Sequence, residues 1–264
     1  MIFNVLISCM FQTDKSIIER SNIQSDVIVV NQCDCNSIEE FDFVNKNGDI
    51  CHVKFISTTE RGLSKSRNMA LRNAWGDICL ICDDDEVLAD DCEKKIKEAY
   101  LKNTDSDLIA FALIRNDLKK TYPEKAKVLN FKQILRTSSQ QITFRRRSFI
   151  EHGIIFDEKM GSGTGNGGGE EIMLMLLSKR CGFKLLYCPS IIATIKPSSS
   201  QWFHGYTERY FENLGWTDRR ILGPILGFLY LIYWPIFRCS VYSKDGLSVY
   251  RAIKCSLKGY CSKR

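Results

Sequence analysis

The sequence predicts an α/β protein: a Rossmann-like, mostly parallel central sheet with helices on both faces, followed by a C-terminal helical tail. Three observations carry this. Short β-branched runs alternate with helical patterns through the first hundred residues. The 264 residues are 44% hydrophobic and 26% charged, which fits a globular chain and excludes wholesale disorder, collagen and a polytopic membrane protein. The charge is uneven: residues 1–200 carry 27 basic and 27 acidic side chains, residues 201–264 carry 10 and 4, so the whole net charge of +6 lies in the last quarter. A nucleic-acid-binding body would need a basic face on the main domain, so that class is excluded, and a tail that meets something anionic is expected.

Phe3–Cys9 is a β-rich apolar run and reads as a first strand, since the N-terminus lacks the basic and long apolar regions of a signal peptide. Asp14 can cap a helix through Ser21. Asp26–Val30 reads as a strand, and His52–Ser57 as a weaker one. Ser64–Asn73 reads as a helix ending before Gly76, Asp77–Cys82 as a strand, Ala89–Leu101 as a helix and Asp107–Arg115 as a strand. Polar Lys119–Lys132 is expected to run over the surface, and Ile142–Arg147 to form a short strand. Gly161–Gly169, with six glycines in nine residues, is expected to be a mobile loop. Glu170–Cys181 reads as a helix and Lys184–Cys188 as a strand stopped by Pro189. In such sheets ligands bind at the carboxyl ends of the strands.

Twelve cysteines are too few for a disulfide scaffold. Cys79-x-x-Cys82 lies in a strand, where residues three apart face opposite ways, so neither a shared metal nor a disulfide is expected. With Cys33-x-Cys35 as the only other close pair and three histidines in the chain, a Cys/His zinc site is poorly supported. Free thiols without a secretion signal favour the cytoplasm.

Three constellations carry chemistry. Asp83-Asp84-Asp85-Glu86 directly follows a strand; one acid would suffice as a helix cap, whereas four make sense if a divalent cation offsets their repulsion. Asp83 and Asp85, two apart in an extended turn, can converge on one site, one reaching a ribose hydroxyl and the other a metal. Glu60-Arg-Gly-Leu-Ser-Lys-Ser-Arg-Asn68 opens a helix, where Arg61, Lys65 and Arg67 add charge to a terminus that already favours anions. Gly-Gly-Gly-Glu170-Glu171 brings two carboxylates to a helix start behind the glycine loop, which suits a general base. The loop also contains Gly163-x-Gly165-x-x-Gly168, but its two glutamates would repel a pyrophosphate and no acid lies about 20 residues on, so a dinucleotide site is rejected.

Taken in order, residues 1–200 resemble the family 2 inverting glycosyltransferases of the GT-A fold, as found in bacterial polysaccharide assembly. Val5-Leu-Ile-Ser-Cys9 is similar to the family's first strand and Val29-Val-Asn-Gln-Cys-Asp34 to its nucleotide-contacting turn. Arg61–Asn68 followed by Gly76-Asp-Ile resembles the "GxxxARNxGxxxAxG" stretch, Asp83-Asp-Asp85 the DxD, Gly169-Glu-Glu171 the "GED" that carries the base, and Lys184–Pro189 the strand after it. Asn31 and Gln32 replace the paired acids of the second-strand turn, and Glu171 stands where Asp is usual. The resemblance implies a nucleotide-sugar-binding half over residues 1–115, an acceptor-side half over 116–200 and a basic, apolar tail over 201–264. It implies Mg2+ or Mn2+ on Asp85 and Asp83, and Glu171 as the base with Glu170 as rival. Ser8, Asn31, Gln32, Arg61, Lys65, Arg67, Asp83 and Asp84 would contact a donor, with UDP as its nucleotide. The reaction would move a sugar to a hydroxyl of a glycan or lipid-linked glycan. A nucleotidyltransferase on a similar sheet and a non-catalytic nucleotide-sugar-binding protein stand as alternatives; the former would usually show a glycine- and lysine-rich loop after the first strand, which Ser8–Gln12 lacks.

Ile221–Phe237 is an uncharged run of 17 residues flanked by Arg219, Arg220 and Arg238. As one helix it is about 26 Å long, against a bilayer core of about 30 Å. Tyr230, Tyr233 and Trp234 suit a headgroup boundary. An interfacial anchor on an anionic membrane surface through residues 219–264, peripheral on the inner face of the cell membrane, is expected; a single span and a core or dimer helix are the alternatives.

Overall fold

The computed structural model describes residues 1–115, 122–196 and 205–264. The expected domain boundary at residue 200 and the start of the Lys119–Lys132 excursion lie outside them. The strands are β1 (Phe3–Met10), β2 (Asp26–Gln32), β3 (Ser37–Val44), β4 (Ile50–Thr58), β5 (Ile78–Asp83), β6 (Glu86–Leu88), β7 (Leu108–Arg115), β8 (Lys127–Val128), β9 (Ile142–Arg145) and β10 (Leu185–Ile195). The helices are α1 (Ile17–Arg20), α2 (Leu63–Asn73), α3 (Cys92–Lys102), α4 (Phe131–Ile134), α5 (Arg146–Glu151), α6 (Glu170–Arg180), α7 (Glu208–Phe237), α8 (Cys239–Tyr242) and α9 (Val249–Cys261).

The strands form one sheet in the order β3-β4-β2-β1-β5-β9-β7-β10-β6, with β8 also pairing with β10. The central run β4-β2-β1-β5 is parallel, as is the pair β7-β10, whereas β3, β6, β8 and β9 join antiparallel. Parallel strands are buried on both faces and so read as unbroken apolar runs; Val5, Ile7, Val27, Val29 and Leu80 are fully buried. This is the α/β sheet with helices that the alternating pattern predicts.

Two compact units are present. One holds Met1–Arg61, Lys65–Phe156 and Leu174–Ser198; the other holds Gly62–Ser64, Asp157–Met173 and Ser199–Arg264.

Several elements differ from the sequence reading. The expected strand Ile142–Arg147 ends at Arg145, and Arg146 opens α5. β3 is an edge strand whose Glu39, Glu40 and Asp42 mask its β character, and it is set by pairing from Ser37↔Ser57 to Val44↔Ile50. Glu86–Leu88 follows the acidic turn as a strand paired with Ala193–Ile195 of β10. β10 does not stop at Pro189: the register shifts between Cys188 and Ile191, and an irregularity of this kind tolerates a residue without an N–H.

In the helical unit, α7 breaks at Gly223 (φ 79°, ψ −177°), a conformation open to glycine because it has no Cβ. Residues 208–222 and 224–237 are therefore two arms, and they fold back on each other. A Cβ on Gly227 would lie 2.6 Å from the Asp218 carbonyl oxygen, and Trp234 packs edge-on against Phe211 at 5.9 Å. By length and composition α7 could cross a membrane. The arm after Gly223 is only about 21 Å long at 1.5 Å per residue, well short of a bilayer core of about 30 Å. α9 packs on the first arm through glycines: a Cβ on Gly215 or Gly259 would lie 1.9 or 1.7 Å from a carbonyl oxygen of the facing helix.

Candidate functional site

In the sheet unit, register aligns Ser8 with Asp83 and Cys9 with Asn31, and Asn31 with Ser57, so the carboxyl ends of β5, β1, β2 and β4 share one edge. The acidic segment divides. Glu86 is 1% exposed and points inward, its Oε1 accepting the Asp83 N–H at 2.8 Å. Burial, and then the nearby Asp83 charge, push its carboxyl well above the usual carboxylate range, and it braces the turn through that hydrogen bond. Asp83, Asp84 and Asp85 remain at the surface of the turn. Desolvation, then the charges of Asp83 and Asp85, raise the Asp84 carboxyl. The Asp85 backbone is held by the Lys196 N–H at 2.9 Å, and Gln140 Nε2 stands 3.5 Å from its Oδ1.

Arg67 projects from α2 into this edge and is 2% exposed. Its Nη2 donates to Asp83 Oδ1 at 2.9 Å, Asp83 Oδ2 at 3.2 Å and Ser139 Oγ at 2.9 Å. Its guanidinium lies over the Phe156 ring at 5.5 Å. A buried cation at this depth requires such a partner. The polar side of α2 faces inward throughout: Ser66 Oγ donates to Ser8 Oγ at 2.9 Å, and Asn68 exchanges hydrogen bonds with the Phe156 backbone at 2.9 and 2.8 Å. The sequence reading places Arg67 at an anion-favouring helix start, without foretelling the buried Ser139 and Asp83 partners that hold it. Ser139, Gln140 and Phe156 are the residues that sequence reasoning misses; the only local sign is the capping box of Ser138 and Gln141 around Ser139.

The remaining predicted donor contacts lie at the same edge with other partners. The Asn31 amide is buried and clamps Gln12, accepting its N–H at 2.9 Å and donating to its carbonyl at 3.0 Å. Gln32 is likewise buried. Arg61 caps the turn after β2, with Nη1 donating to Cys33 O at 2.8 Å and Nη2 to Asp34 Oδ1 at 2.6 Å. Lys65 is half-buried on the first turn of α2.

Whether a divalent cation fits follows from the donor set. Among the described residues no group of three or more His, Cys, Asp or Glu gathers around one point. Asp83 and Asp85 offer hard carboxylate oxygens at the turn, and Asp83 is shared with Arg67. Mg2+ and Mn2+ suit such oxygen donors, and Mg2+ is usually held by one or two carboxylates and completed by substrate phosphates and water, so the residues fit an ion of this kind.

The two glutamates belong to the helical unit's loop and the first turn of α6. The glycines of that loop do not border open space, contrary to the expectation of a mobile segment. A Cβ on Gly167 would lie 1.9 Å from Thr217 Oγ1, and one on Gly169 2.8 Å from Ile221 Cδ1. Gly161 N–H donates to Gly167 O at 3.0 Å, and Ser64 Oγ donates to Met160 O at 2.7 Å. Close packing is what requires glycine here. Glu170 is buried, its carboxyl turned back toward Gly161 and Gly168, whereas Glu171 is half-buried.

The sequence model described as "Glycosyl transferase family 2" matches residues 11–159, more than half of the chain. No curated protein matches by sequence. Among solved structures, S. aureus TarS 1-349 in complex with UDP-GlcNAc is 17% identical over 86% of this chain and 68% of that one, with a TM-score of 0.58. The mannosyltransferase PcManGT from Pyrobaculum calidifontis, in complex with GDP-Man and Mn2+, is 16% identical over 97% of this chain and 73% of that one, with a TM-score of 0.52. At such identities the likeness is one of fold.

Proposed function

Because the chain belongs to glycosyl transferase family 2 and is a glycosyltransferase, we propose that it moves a sugar, with inversion, from a nucleoside diphosphate donor to a hydroxyl of a glycan or lipid-linked glycan. UDP is the first nucleotide to test. One observation carries the reading: a buried arginine, Arg67, bonded to Asp83 and Ser139 beside Asp85, at a strand end inside the matched residues. A sheet's carboxyl edge is where such folds take ligands, and an acid paired with a buried cation there suits a ribose and diphosphate.

On this reading Asp83 and Arg67 orient the donor, with Ser8, Asn31, Gln32, Lys65 and Asp84 around them and Arg61 at the rim. Asp85, with Asp83, would hold Mg2+ or Mn2+. Such an ion, when bound, supplies positive charge to the leaving diphosphate. Glu171 accepts the proton of the attacking acceptor hydroxyl. It is favoured over Glu170 because it is half-buried while Glu170 is turned into its own loop. Residues 1–200 form the transferase body in this scheme.

The tail, residues 201–264, is assigned to an anionic membrane surface on the inner face of the cell membrane, in polysaccharide assembly. Its second arm presents Ile225, Leu226, Leu229, Tyr233 and Phe237 outward. Of its ten basic residues, Arg209, Arg220, Arg251, Lys258 and Arg264 pair with acids, and Arg219 donates to Tyr260 O. Arg238, Lys244, Lys254 and Lys263 form no ion pair among the described residues and are left for lipid, at about 1 kcal/mol each near the surface.

The test is turnover of a panel of nucleotide sugars with Mn2+. Glu171→Gln should lower kcat about 10²-fold or more while donor affinity stays unchanged. If Glu170→Gln does this and Glu171→Gln does not, the base is Glu170; if no donor is turned over or hydrolysed, the transferase reading fails.

A further inference from the structure

Among the chain's twelve cysteines, two groups in the sheet unit contrast. Cys9, Cys79, Cys82 and Cys92 are buried in the sheet unit, and burial pushes their thiols up, Cys9 and Cys79 to about 12. A thiol held protonated reacts slowly with oxidants and disulfides. Cys33 and Cys35 differ. They lie on the turn after β2, half-buried and exposed, with their Sγ atoms 3.5 Å apart. Burial alone would raise the Cys33 thiol, but hydrogen bonds from the Cys35 backbone and thiol, from Ser57 and from the Thr58 backbone outweigh burial and lower it. The Cys35 thiol is raised, chiefly by its hydrogen bond with Cys33. One activated thiol beside one resolving thiol is the arrangement that thiol–disulfide exchange requires.

The turn is anchored on both sides of the pair. Cys33 N–H donates to Thr58 O at 2.9 Å, and Asn36 Oδ1 accepts the Thr59 N–H at 2.9 Å. Arg61 bonds the Cys33 carbonyl and the intervening Asp34 carboxylate. The thiols therefore need approach only from 3.5 Å to the disulfide length of about 2.05 Å, without bringing distant segments together.

We propose that Cys33 and Cys35 form a reversible dithiol–disulfide site, oxidised by a low-molecular-weight disulfide such as oxidised glutathione. The Cys33 thiolate attacks one glutathione sulfur, forming a mixed disulfide and releasing one glutathione thiolate. Cys35, giving up its proton to solvent, attacks the Cys33 sulfur and releases the second. Two protein thiols are oxidised and one small disulfide is reduced to two thiols. Ring closure across Asp34 moves the carbonyl and carboxylate that Arg61 holds.

The test is peptide mass spectrometry on the full chain, treated with oxidised glutathione and then alkylated. It does not depend on transfer activity. The peptide carrying Cys33 and Cys35 should lose two hydrogens, resist alkylation and recover with dithiothreitol. Cys35→Ser should stop at a glutathione adduct on Cys33, and Cys33→Ser should leave Cys35 about ten-fold slower to react. Full alkylation of both thiols in the treated wild type, or an unchanged rate at Cys35 in Cys33→Ser, would overturn the proposal.

Discussion

In the sheet unit Val5, Ile7, Val27 and Leu80 have no exposure at all, whereas in the helical unit Ile225 stands 75% exposed and Phe237 68%. Both units bury polar side chains, Glu212, Asp218 and Ser256 among them in the helical unit, but in different settings. The sheet unit buries Arg67, Asn68, Ser66 and Glu86 beneath one strand edge, while the helical unit closes around a small core of Phe211, Tyr242, Ala252 and Cys255. A sheet that buries polar side chains where a ligand would enter invests in positioning. A helical hairpin that leaves its large apolar side chains outside presents an apolar patch of the kind that lipid or a second copy of the chain could cover.

The largest expected effect falls on how the helical unit holds together. With so few large core residues, close approach of α9 to the first arm of α7 does the packing. Gly215→Val would drive a side chain into the Ser256 backbone, only 1.9 Å away from an ideal Cβ. The cost should be about 3 kcal/mol or more, read as early proteolysis of residues 205–264 while nucleotide binding by the sheet unit persists. Loss of both together would mean that the two units fold as one.

A smaller effect concerns the exposed arm. Leu226→Ser with Leu229→Ser should weaken association with anionic vesicles by roughly thirty-fold per residue, about 2 kcal/mol for each leucine removed from lipid. Salt should weaken the preference for anionic over neutral vesicles, because surface charge is screened. Equal binding by the wild type and the double variant would favour a second copy of the chain as the arm's partner.

A pH-dependent effect concerns Asp218, which lies on the first arm with Oδ2 lacking a hydrogen-bond partner among the described residues. Burial pushes its carboxyl up to about 8. The folded form thus binds a proton that the unfolded form releases near pH 4, so stability contributed by the protonated group is full below about pH 4 and is lost as pH rises toward 8. Asp218→Asn should flatten that fall in thermal melts; an unchanged slope would assign it to another group.

Much of the sheet unit is legible in the sequence because its signals are local. Phe3–Cys9, Asp26–Val30 and Asp77–Cys82 are short, mostly apolar runs, and the acidic segment begins where one of them ends. What stays hidden is set by partners far along the chain. Ser139 meets Arg67 and Asp83 across 72 and 56 residues. β3 is a strand because β4 pairs with it, not because Ser-Ile-Glu-Glu-Phe-Asp-Phe-Val favours one on composition. In the tail, two glycines and two prolines in an apolar run signal weakness as a span, but only the positive φ at Gly223 turns that weakness into a hairpin. The glycines at 161–169 read as freedom and instead mark close contact.

The proposed function requires a donor and a divalent ion to meet at the end of β5. Calorimetry of UDP binding with and without Mn2+, on the wild type and on Asp85→Asn, tests this most directly. Binding should be strengthened by Mn2+ in the wild type and lose that strengthening, by about ten-fold or more, in Asp85→Asn, with the thermal melt unchanged. Equal, Mn2+-dependent affinity in both proteins would contradict it.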